Sequence, residues 1–335
     1  MRIAVLASIA HRLPPRSYGP WEQVAATLTD GLVRRGHEVT LFATADSTTS
    51  ARLHAVAPAG YEEDRTVDAK VWESLHIAAA FERADEFDLI SNQFDFLPLT
   101  YSRLVGTPVV TTIHGFSSEQ IVPVFAAYDD IAHYVSISDA DRHPALTYAA
   151  TIHHGIDLDG FTQGRGDEGY LVFFGRMHPD KGAATAIEVA RRAGLPLVMA
   201  GIVQDEAYFR AEVEPHVDGE AVTFLGPVGP VERDRLLGGA LGLLHLIAFP
   251  EPFGLSVVEA LATGTPVIAR PLGSMPEIVR HGVTGFLVHD VDEAVRAVRD
   301  LPGIDRRTCR REAETRFGAD RMVDDYEALF RRIIG

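Results

Sequence analysis

The chain has 335 residues, 46% of them hydrophobic and 23% charged, with a formal net charge of −16. Its length is more than twice the roughly 150 residues of a typical domain, so we expect two domains, each able to bury a core. The acidic balance argues against a nucleic-acid partner, whose phosphates need a basic surface, and against membrane contact through a polybasic patch.

The beginning of the chain contains the first predicted strand. The run MRIAVLASIA is short for the apolar segment of a signal peptide, and we interpret residues 2–8 as a buried strand. The single cysteine, Cys309, excludes an internal disulfide and is typical of a cytoplasmic protein. No run approaches the ~18 uninterrupted apolar residues of a membrane span.

Strands and helices are predicted to alternate along the first half. Residues 21–35 have apolar side chains at helical spacing and end at Gly36, which predicts an amphipathic helix. Short apolar runs predict further strands at residues 38–44, 89–91, 109–112 and 134–137.

The same alternation starts again after a polar, glycine-rich stretch at residues 160–169, which we interpret as a linker. Strands are predicted at residues 170–174, 197–200, 222–225, 242–246 and 266–269. Helices are predicted at residues 183–193, 206–217, 255–262 and 320–334. Continuous apolar strands between helices indicate parallel sheets covered on both faces, so the fold class is α/β with two doubly wound domains. Ligands of such sheets bind beyond the carboxyl ends of the strands.

The loop after the strand at 170–174 is a candidate phosphate site. Gly175 lets the backbone approach a ligand, and Arg176 and Lys181 supply two cations just before a helix, whose N-terminus attracts anions. The alternative is that both cations are solvated, with Lys181 paired to Asp180.

The segment EPFGLSVVEALATGTPVIA at residues 251–269 carries a second candidate site. Glu251 precedes a turn and Glu259 lies about one turn inside the predicted helix. A carboxylate placed like Glu259 can accept hydrogen bonds from a ribose diol, and Glu251 could accept them from a second sugar. The alternative is that Glu259 complements the helix dipole and Glu251 is a loop charge.

These segments together resemble the retaining glycosyltransferases of family 4, which have the GT-B architecture. The resemblance rests on Gly-Arg-x₄-Lys-Gly at 175–182, Glu-x₇-Glu at 251–259, GSMPEIV at 273–279 and GVTGFLV at 282–288. Weaker matches at residues 18–44, 111–115, 135–139 and 153–157 follow the family's order, so the resemblance covers essentially the whole chain.

The resemblance implies a GT-B fold, with two Rossmann-like domains facing a cleft that closes on the donor. Residues 1–158 would form the acceptor-side domain, residues 170–317 would bind the nucleotide sugar, and residues 318–335 would form a helix that packs back on the first domain. The loops at 11–18 and 117–125 would face the acceptor.

The resemblance also implies residue roles. Arg176 and Lys181 would hold the donor diphosphate, with backbone at Gly19 and Gly175 close to it. Glu259 would bind the ribose, and Glu251 would position the donor sugar together with the N–H groups of Phe253, Gly254 and Leu255. His114, which could instead be a buried histidine closing a strand, would hydrogen-bond that sugar. Backbone near Val228 would read the base.

The chain departs from the family pattern at two positions. Where the family often has a second glycine in its first loop, this chain has Pro20, which lacks an N–H group. Where an asparagine is common before the glycine of the interdomain motif, it has His154.

The implied reaction is transfer of a hexose-type sugar, with retention of configuration, from a nucleoside-diphosphate sugar to a hydroxyl acceptor. The acceptor would be a small molecule, a glycan or a lipid head group, and the base of the donor would be uridine or guanosine. No cofactor or metal is expected, because the Asp-x-Asp strings at 157–159 and 290–292 suit turns and helix caps. Two alternatives stay open: a nucleotide-sugar epimerase on the same fold and a non-catalytic sugar-nucleotide-binding protein.

Overall fold

The computed structural model describes residues 1–16, 19–116 and 118–335. Ser17, Tyr18 and Ser117, which fall in the two loops expected to face the acceptor, lie outside the described residues. The chain divides into two compact units, one formed by Met1–Gly155 with Ala319–Gly335 and the other by Ile156–Gly318.

The first unit contains a seven-stranded parallel sheet in the order β3-β2-β1-β4-β5-β6-β7. Its strands are β1 (Arg2–Ala7), β2 (Glu38–Ala43), β3 (Arg52–Ala55), β4 (Leu89–Gln93), β5 (Val109–Ile113), β6 (His133–Ser136) and β7 (Tyr148–Thr151). Its helices are α1 (Pro20–Arg34), α2 (Ala69–Phe81) and α3 (Val122–Ala127), with 3-10 turns at Ala84–Glu86, Leu97–Leu104 and Glu119–Ile121. The sequence missed β3 and β7, the two edge strands, because edge strands keep much of their surface exposed and so lack a continuous apolar run.

The second unit contains a six-stranded parallel sheet in the order β10-β9-β8-β11-β12-β13. Its strands are β8 (Leu171–Phe174), β9 (Leu197–Ala200), β10 (Val222–Phe224), β11 (Gly242–His245), β12 (Val267–Ala269) and β13 (Gly285–Leu287). Its helices are α4 (Ala183–Ala193), α5 (Glu206–Tyr208), α6 (Pro230–Gly239), α7 (Leu255–Ala262), α8 (Met275–Ile278), α9 (Val291–Asp300) and α10 (Arg306–Arg316). The shorter turns are Leu158–Gly160, Pro179–Lys181, Phe209–Val213, Glu214–His216 and Leu301–Gly303. The predicted α/β class with two doubly wound units is confirmed.

The predicted helix over residues 206–217 is only partly correct. The α-helical part is α5, and it passes into a π turn at Phe209–Val213 and a 3-10 turn at Glu214–His216. Pro215 explains the break, because proline has no N–H to donate and its ring crowds the preceding turn.

The last helix, α11 (Ala319–Ile334), belongs to the first unit. It packs on α1 so closely that a Cβ placed on Gly31 would lie 2.4 Å from Cγ2 of Val323. Arg35, which caps the C-terminus of α1, also donates to Asp324 at 2.6 Å. The predicted return of this helix to the first unit is therefore confirmed. No helix in the described part of the chain is long and apolar enough to cross a membrane.

The stretch at residues 160–169 is not a free linker. The N–H of Gly164 donates to the Thr263 carbonyl at 2.9 Å, and the N–H of Gly166 donates to the Gly238 carbonyl at 3.0 Å. A Cβ on Gly164 would lie 2.1 Å from the Gly238 oxygen. Glycine is present here because two backbones approach closely, which the sequence pattern does not distinguish from a flexible connection.

Candidate functional site

The two candidate segments of the second unit meet where the strand order reverses. β8 leads into the loop with Gly175, Arg176 and Lys181, and its neighbour β11 leads into the loop with Glu251. β9 pairs with the other side of β8, so β8 and β11 flank the switch point of the sheet. A crevice at such a point is where open α/β sheets bind ligands.

Gly175 and Arg176 begin the first of these loops. The N–H of Gly175 donates to the Ala200 carbonyl at 3.0 Å, so it is engaged within the sheet. A Cβ on Gly175 would meet only the Phe173 ring, at an ordinary 3.7 Å, so packing within the chain does not require glycine there. The guanidinium of Arg176 donates to the side-chain oxygen of Gln204.

Lys181 pairs with Glu251 across seventy residues of sequence. Its Nζ lies 2.5 Å from Oε2 of Glu251 and 4.8 Å from the centre of the Phe249 ring, and both side chains of the pair are only 13% exposed. Burial lowers the pKa of the Lys181 ammonium, and the Glu251 carboxylate opposes that shift. The alternative, a solvated Lys181 paired with Asp180, is wrong, because Lys181 is largely buried and its ion-pair partner is Glu251.

A buried histidine, which the sequence analysis missed, lies beside this pair. Nε2 of His245, at the end of β11, is 3.7 Å from Oε2 of Glu251. Burial lowers the pKa of His245 to about 4, so the imidazole is neutral at pH 7. A polar residue inside a predicted buried strand was the signal that could have found it.

The turn between Glu251 and α7 is fixed by its own packing. Gly254 adopts a left-handed φ of 89°, and a Cβ there would lie 2.6 Å from Cε of Met275. The Ser274 hydroxyl donates to the Phe253 carbonyl at 2.7 Å, and the Ser274 N–H donates to the Glu251 carbonyl at 2.9 Å. Leu255 begins α7 as predicted, so the helix N-terminus lies directly after this turn.

Glu259 lies in the fifth position of α7 and has an unpredicted partner. Nη1 of Arg233, on α6, lies 2.8 Å from Oε1 of Glu259. Burial raises the pKa of the Glu259 carboxyl, and Arg233 opposes that shift. Val228, expected near the base, lies partly exposed in the loop that precedes α6.

In the first unit, His114 follows β5 and is buried. Its Nε2 lies 3.0 Å from Oε1 of Gln93, and its Nδ1 lies 3.4 Å from Nε2 of His154. The ring stacks on Trp21 with centroids 5.4 Å apart. Burial lowers the pKa of His114 to about 3, so the ring is neutral.

The tautomer of His114 depends on the orientation of the Gln93 amide. The amide nitrogen of Gln93 donates to the hydroxyl of Thr112 at 2.9 Å, and that hydroxyl lies 2.7 Å from the Tyr326 hydroxyl of α11. With the Gln93 amide oriented this way, its oxygen accepts from His114, which then carries its proton on Nε2. Both ring nitrogens of His114 are engaged, so a sugar hydroxyl would have to replace one partner. The buried polar run Ser91-Asn92-Gln93 in β4 was a signal that the sequence analysis did not use.

Gly19 caps α1 in the first unit. Its φ is 154°, and a Cβ there would lie 2.8 Å from Cβ of Pro15. Pro20, the departure from the family pattern, occupies the first turn of α1, where a missing N–H costs the helix nothing.

The two Asp-x-Asp strings make local hydrogen bonds. Asp157 accepts from the Asp159 N–H at 3.2 Å, and Asp290 accepts from the Glu293 N–H at 2.8 Å and caps α9. Their predicted roles in a turn and a helix cap are confirmed. The described residues include no group of three histidine, cysteine, aspartate or glutamate side chains arranged to hold a metal ion.

Two family profiles together match most of the chain. The profile described as "Glycosyltransferase Family 4" matches residues 21–159, and the one described as "Glycosyl transferases group 1" matches residues 159–313. A D-inositol 3-phosphate glycosyltransferase of Mycobacterium marinum (strain ATCC BAA-535 / M) is 31% identical over 235 residues, which cover 62% of this chain and 49% of the relative. The chain thus spans about half the length of the curated relatives it matches.

Solved structures match the fold over the full chain. AviGT4, a glycosyltransferase involved in avilamycin A biosynthesis, is 25% identical with a TM-score of 0.73, and the match covers 100% of this chain and 98% of AviGT4. Anabaena Alr3699/HepE, solved in complex with UDP and glucose, is 18% identical with a TM-score of 0.75, and the match covers 99% and 100% of the two chains. At that identity the second match shows the fold alone.

Proposed function

Because the chain belongs to glycosyltransferase family 4, we propose that it transfers a hexose-type sugar from a nucleoside-diphosphate sugar to a hydroxyl acceptor, with retention and without a divalent metal. One observation carries the proposal. Two pairs of opposite charge, Lys181 with Glu251 and Arg233 with Glu259, both use a carboxylate from the segment that follows the switch-point strand β11. Lys181 comes from the segment that follows β8, the other switch-point strand, and Arg233 reaches Glu259 from α6, which follows the edge strand β10. Each pair combines a cation with a carboxylate that can accept hydrogen bonds from sugar hydroxyls.

The diphosphate is the ligand that this arrangement favours. Lys181 is largely buried and paired with a single carboxylate, so an incoming diphosphate competes with Glu251 for the ammonium. Arg176 and the N-terminus of α7 add positive potential to the same edge of the sheet. Negative charge grows on the diphosphate as the sugar leaves, so these groups stabilise the transition state.

Release of Glu251 then couples phosphate binding to sugar binding. Once the diphosphate contacts Lys181, the Glu251 carboxylate can accept hydrogen bonds from hydroxyls of the donor sugar. His245 is neutral and lies 3.7 Å from Glu251, so it adds no second positive charge that would keep the carboxylate from turning toward the sugar. Glu259 binds the ribose diol in this account, and backbone near Val228 contacts the base.

His114 is proposed to contact the donor sugar through a neutral ring. A sugar hydroxyl would take the place of either Gln93 or His154 at one ring nitrogen. A neutral imidazole suits this place, because a cation would repel the positive charge that develops at the anomeric carbon.

The proposed chemistry is a front-face substitution. The bond between the anomeric carbon and the phosphate oxygen breaks, and the bond to the acceptor oxygen forms on the same face. The leaving phosphate oxygen takes the proton of the acceptor hydroxyl, so no protein nucleophile is required. A glycosyl adduct on the protein, detected by mass spectrometry in a slowed variant, would contradict this mechanism.

A donor panel tests the function. UDP-sugars and GDP-sugars are incubated with the protein and candidate alcohols, and release of nucleoside diphosphate is followed together with the mass of the glycosylated product. We expect acceptor-dependent release from one donor, and loss of that release in Lys181→Met. Isomerisation of the donor without any acceptor would point to an epimerase, and binding of donor without turnover would point to a non-catalytic protein.

A further inference from the structure

Arg233 and Glu259 form a partly buried ion pair that is also a hydrogen bond. The two side chains come from different helices, α6 and α7, and they meet at 2.8 Å with exposures of 25% and 13%. A carboxylate buried to this extent prefers its neutral form unless a cation faces it. The contact therefore bears directly on whether Glu259 can act as an acceptor of hydrogen bonds.

The orientation of Arg233 is set by the segment that was predicted to be a linker. The guanidinium carbon lies 4.8 Å from the centre of the Phe161 ring. Phe161 is buried, and its carbonyl accepts from Arg310 at 2.7 Å. The N–H of Thr162 donates to Asp234, the residue after Arg233, at 2.8 Å.

The hydrogen bonding of Arg233 is one-sided. Its Nε is buried and has no hydrogen-bond partner among the described residues. The ring of Phe161 and the carboxylate of Glu259 thus hold the guanidinium in place. In this orientation Nη1 of Arg233 donates to Oε1 of Glu259. A planar guanidinium stacked on an aromatic ring has its N–H groups fixed in direction, whereas the ammonium of a lysine can rotate.

We propose that Arg233 is a positioning residue that keeps Glu259 ionised and fixes Oε1, so that Oε2 faces the ribose diol of the donor nucleotide. An ionised carboxylate offers about four acceptor positions, and Arg233 occupies one of them. The remaining positions accept the two hydroxyls of the ribose. This inference rests on the proposed function and adds a residue that acts on the nucleotide only through Glu259.

The test compares ligands that differ only in the ribose hydroxyls. Calorimetry gives the Kd of UDP and of GDP for the wild type, and the tighter nucleotide is then compared with its 2′,3′-dideoxy form. Arg233→Met should raise the Kd of the full nucleotide about tenfold, which is the low end of the effect of losing hydrogen bonds to a charged group. It should change the Kd of the dideoxy nucleotide by no more than about twofold. Arg233→Lys, which restores the charge without the planar fork, should recover part of the loss.

A double variant separates positioning from a general effect on the fold. In a Glu259→Gln background, Arg233→Met should cause no further loss, because its partner can no longer be ionised. Thermal melts confirm that each variant is folded, and Arg233→Lys carries the ligand comparison if Arg233→Met does not fold.

Three results would overturn the inference: equal loss for both nucleotides, no recovery with lysine, or additive losses in the double variant. Failure of the wild type to bind either UDP or GDP would instead refute the proposed function, on which this inference rests.

Discussion

The two units surround their candidate site residues with different kinds of polar groups. In the second unit, the carboxylates of Glu251 and Glu259 each face a cation from another element. In the first unit, His114 lies in a neutral network with Gln93 and His154. One unit therefore balances buried charge with opposite charge, and the other suppresses charge by burial.

This difference predicts that the two units respond differently to loss of a charged side chain and to a change in pH. Ion pairs can exchange one partner for a charged ligand, so the second unit is suited to binding an anion that takes over a cation. The neutral network of the first unit binds through hydrogen bonds alone, and it fails when its histidines become protonated. Substitutions and pH changes should separate the two behaviours.

The largest effect is expected for Lys181→Met. The variant leaves Glu251 largely buried without its cation, which should lower the free energy of unfolding by roughly 3 kcal/mol and abolish nucleoside-diphosphate binding. Chemical denaturation and calorimetry measure the two effects. Adding Glu251→Gln should restore most of the stability but none of the binding. Lys70→Met, at an exposed lysine of the first unit, is the matched control. Retained nucleotide affinity in Lys181→Met would show that this buried cation does not bind the diphosphate.

Acid should act through the neutral histidines. Burial lowers the pKa of His114 to about 3 from the ordinary 6.5. Between these two pH values, His114 is protonated in the unfolded chain and neutral in the folded chain. The free energy of unfolding therefore carries no penalty from His114 well above pH 6.5, and it decreases as the pH falls below 6.5. Between pH 6.5 and about 4.5, the loss from this one residue is roughly 2–3 kcal/mol.

His114→Gln should therefore reduce the loss of stability on acidification, while His216→Gln, at an exposed histidine, should not. Urea denaturation at the two pH values measures the difference. An unchanged acid sensitivity in His114→Gln would show that the first unit does not depend on a neutral ring.

The two glutamates of the second unit should differ in kind. Glu259→Gln should raise the Kd of the bare nucleoside diphosphate about tenfold, because Glu259 is proposed to face the ribose. Glu251→Gln should not raise that Kd, because it removes the carboxylate that competes with the diphosphate for Lys181, and it should lower turnover of the sugar-bearing donor. Calorimetry and steady-state kinetics distinguish the two, and an exchange of the two effects would refute the assignment of one glutamate to each sugar.

The smallest effect is expected from removal of metal. Initial rates of transfer should be the same in excess EDTA as in Mg²⁺ or Mn²⁺, because Arg176, Lys181 and the N-terminus of α7 are proposed to supply the positive potential. Loss of transfer in EDTA, restored by a divalent ion and reproduced by Asp157→Ala, would contradict the metal-free mechanism.

The fold was largely predictable because its elements are encoded locally. The helices at Ala183–Ala193 and Leu255–Ala262 were predicted to the residue, and so was β9 at Leu197–Ala200. Apolar spacing and a glycine stop identify such elements without tertiary information. The missed strands, β3, β7 and β13, lie at sheet edges, where exposure weakens the pattern.

The partners within the site were less predictable, because they are set by the sheet topology. The one ionic partner that the sequence offered for Lys181, as an alternative to the diphosphate, was Asp180, whereas the structure pairs Lys181 with Glu251. Arg233 resembles a solvated charge near the start of a short helix until α6 and α7 are placed side by side. Glycines at 160–169 suggested flexibility because close backbone approach and a free loop give the same composition.

Arg176 and Lys181 are proposed to bind the diphosphate of the donor, and one calorimetric comparison tests that assignment directly. Binding of the preferred nucleoside diphosphate and of its parent nucleoside is measured for the wild type, Arg176→Ala and Lys181→Ala. We expect both substitutions to raise the Kd of the diphosphate at least tenfold and to change the Kd of the nucleoside by no more than about twofold. Equal weakening of both ligands, or of neither, would contradict it.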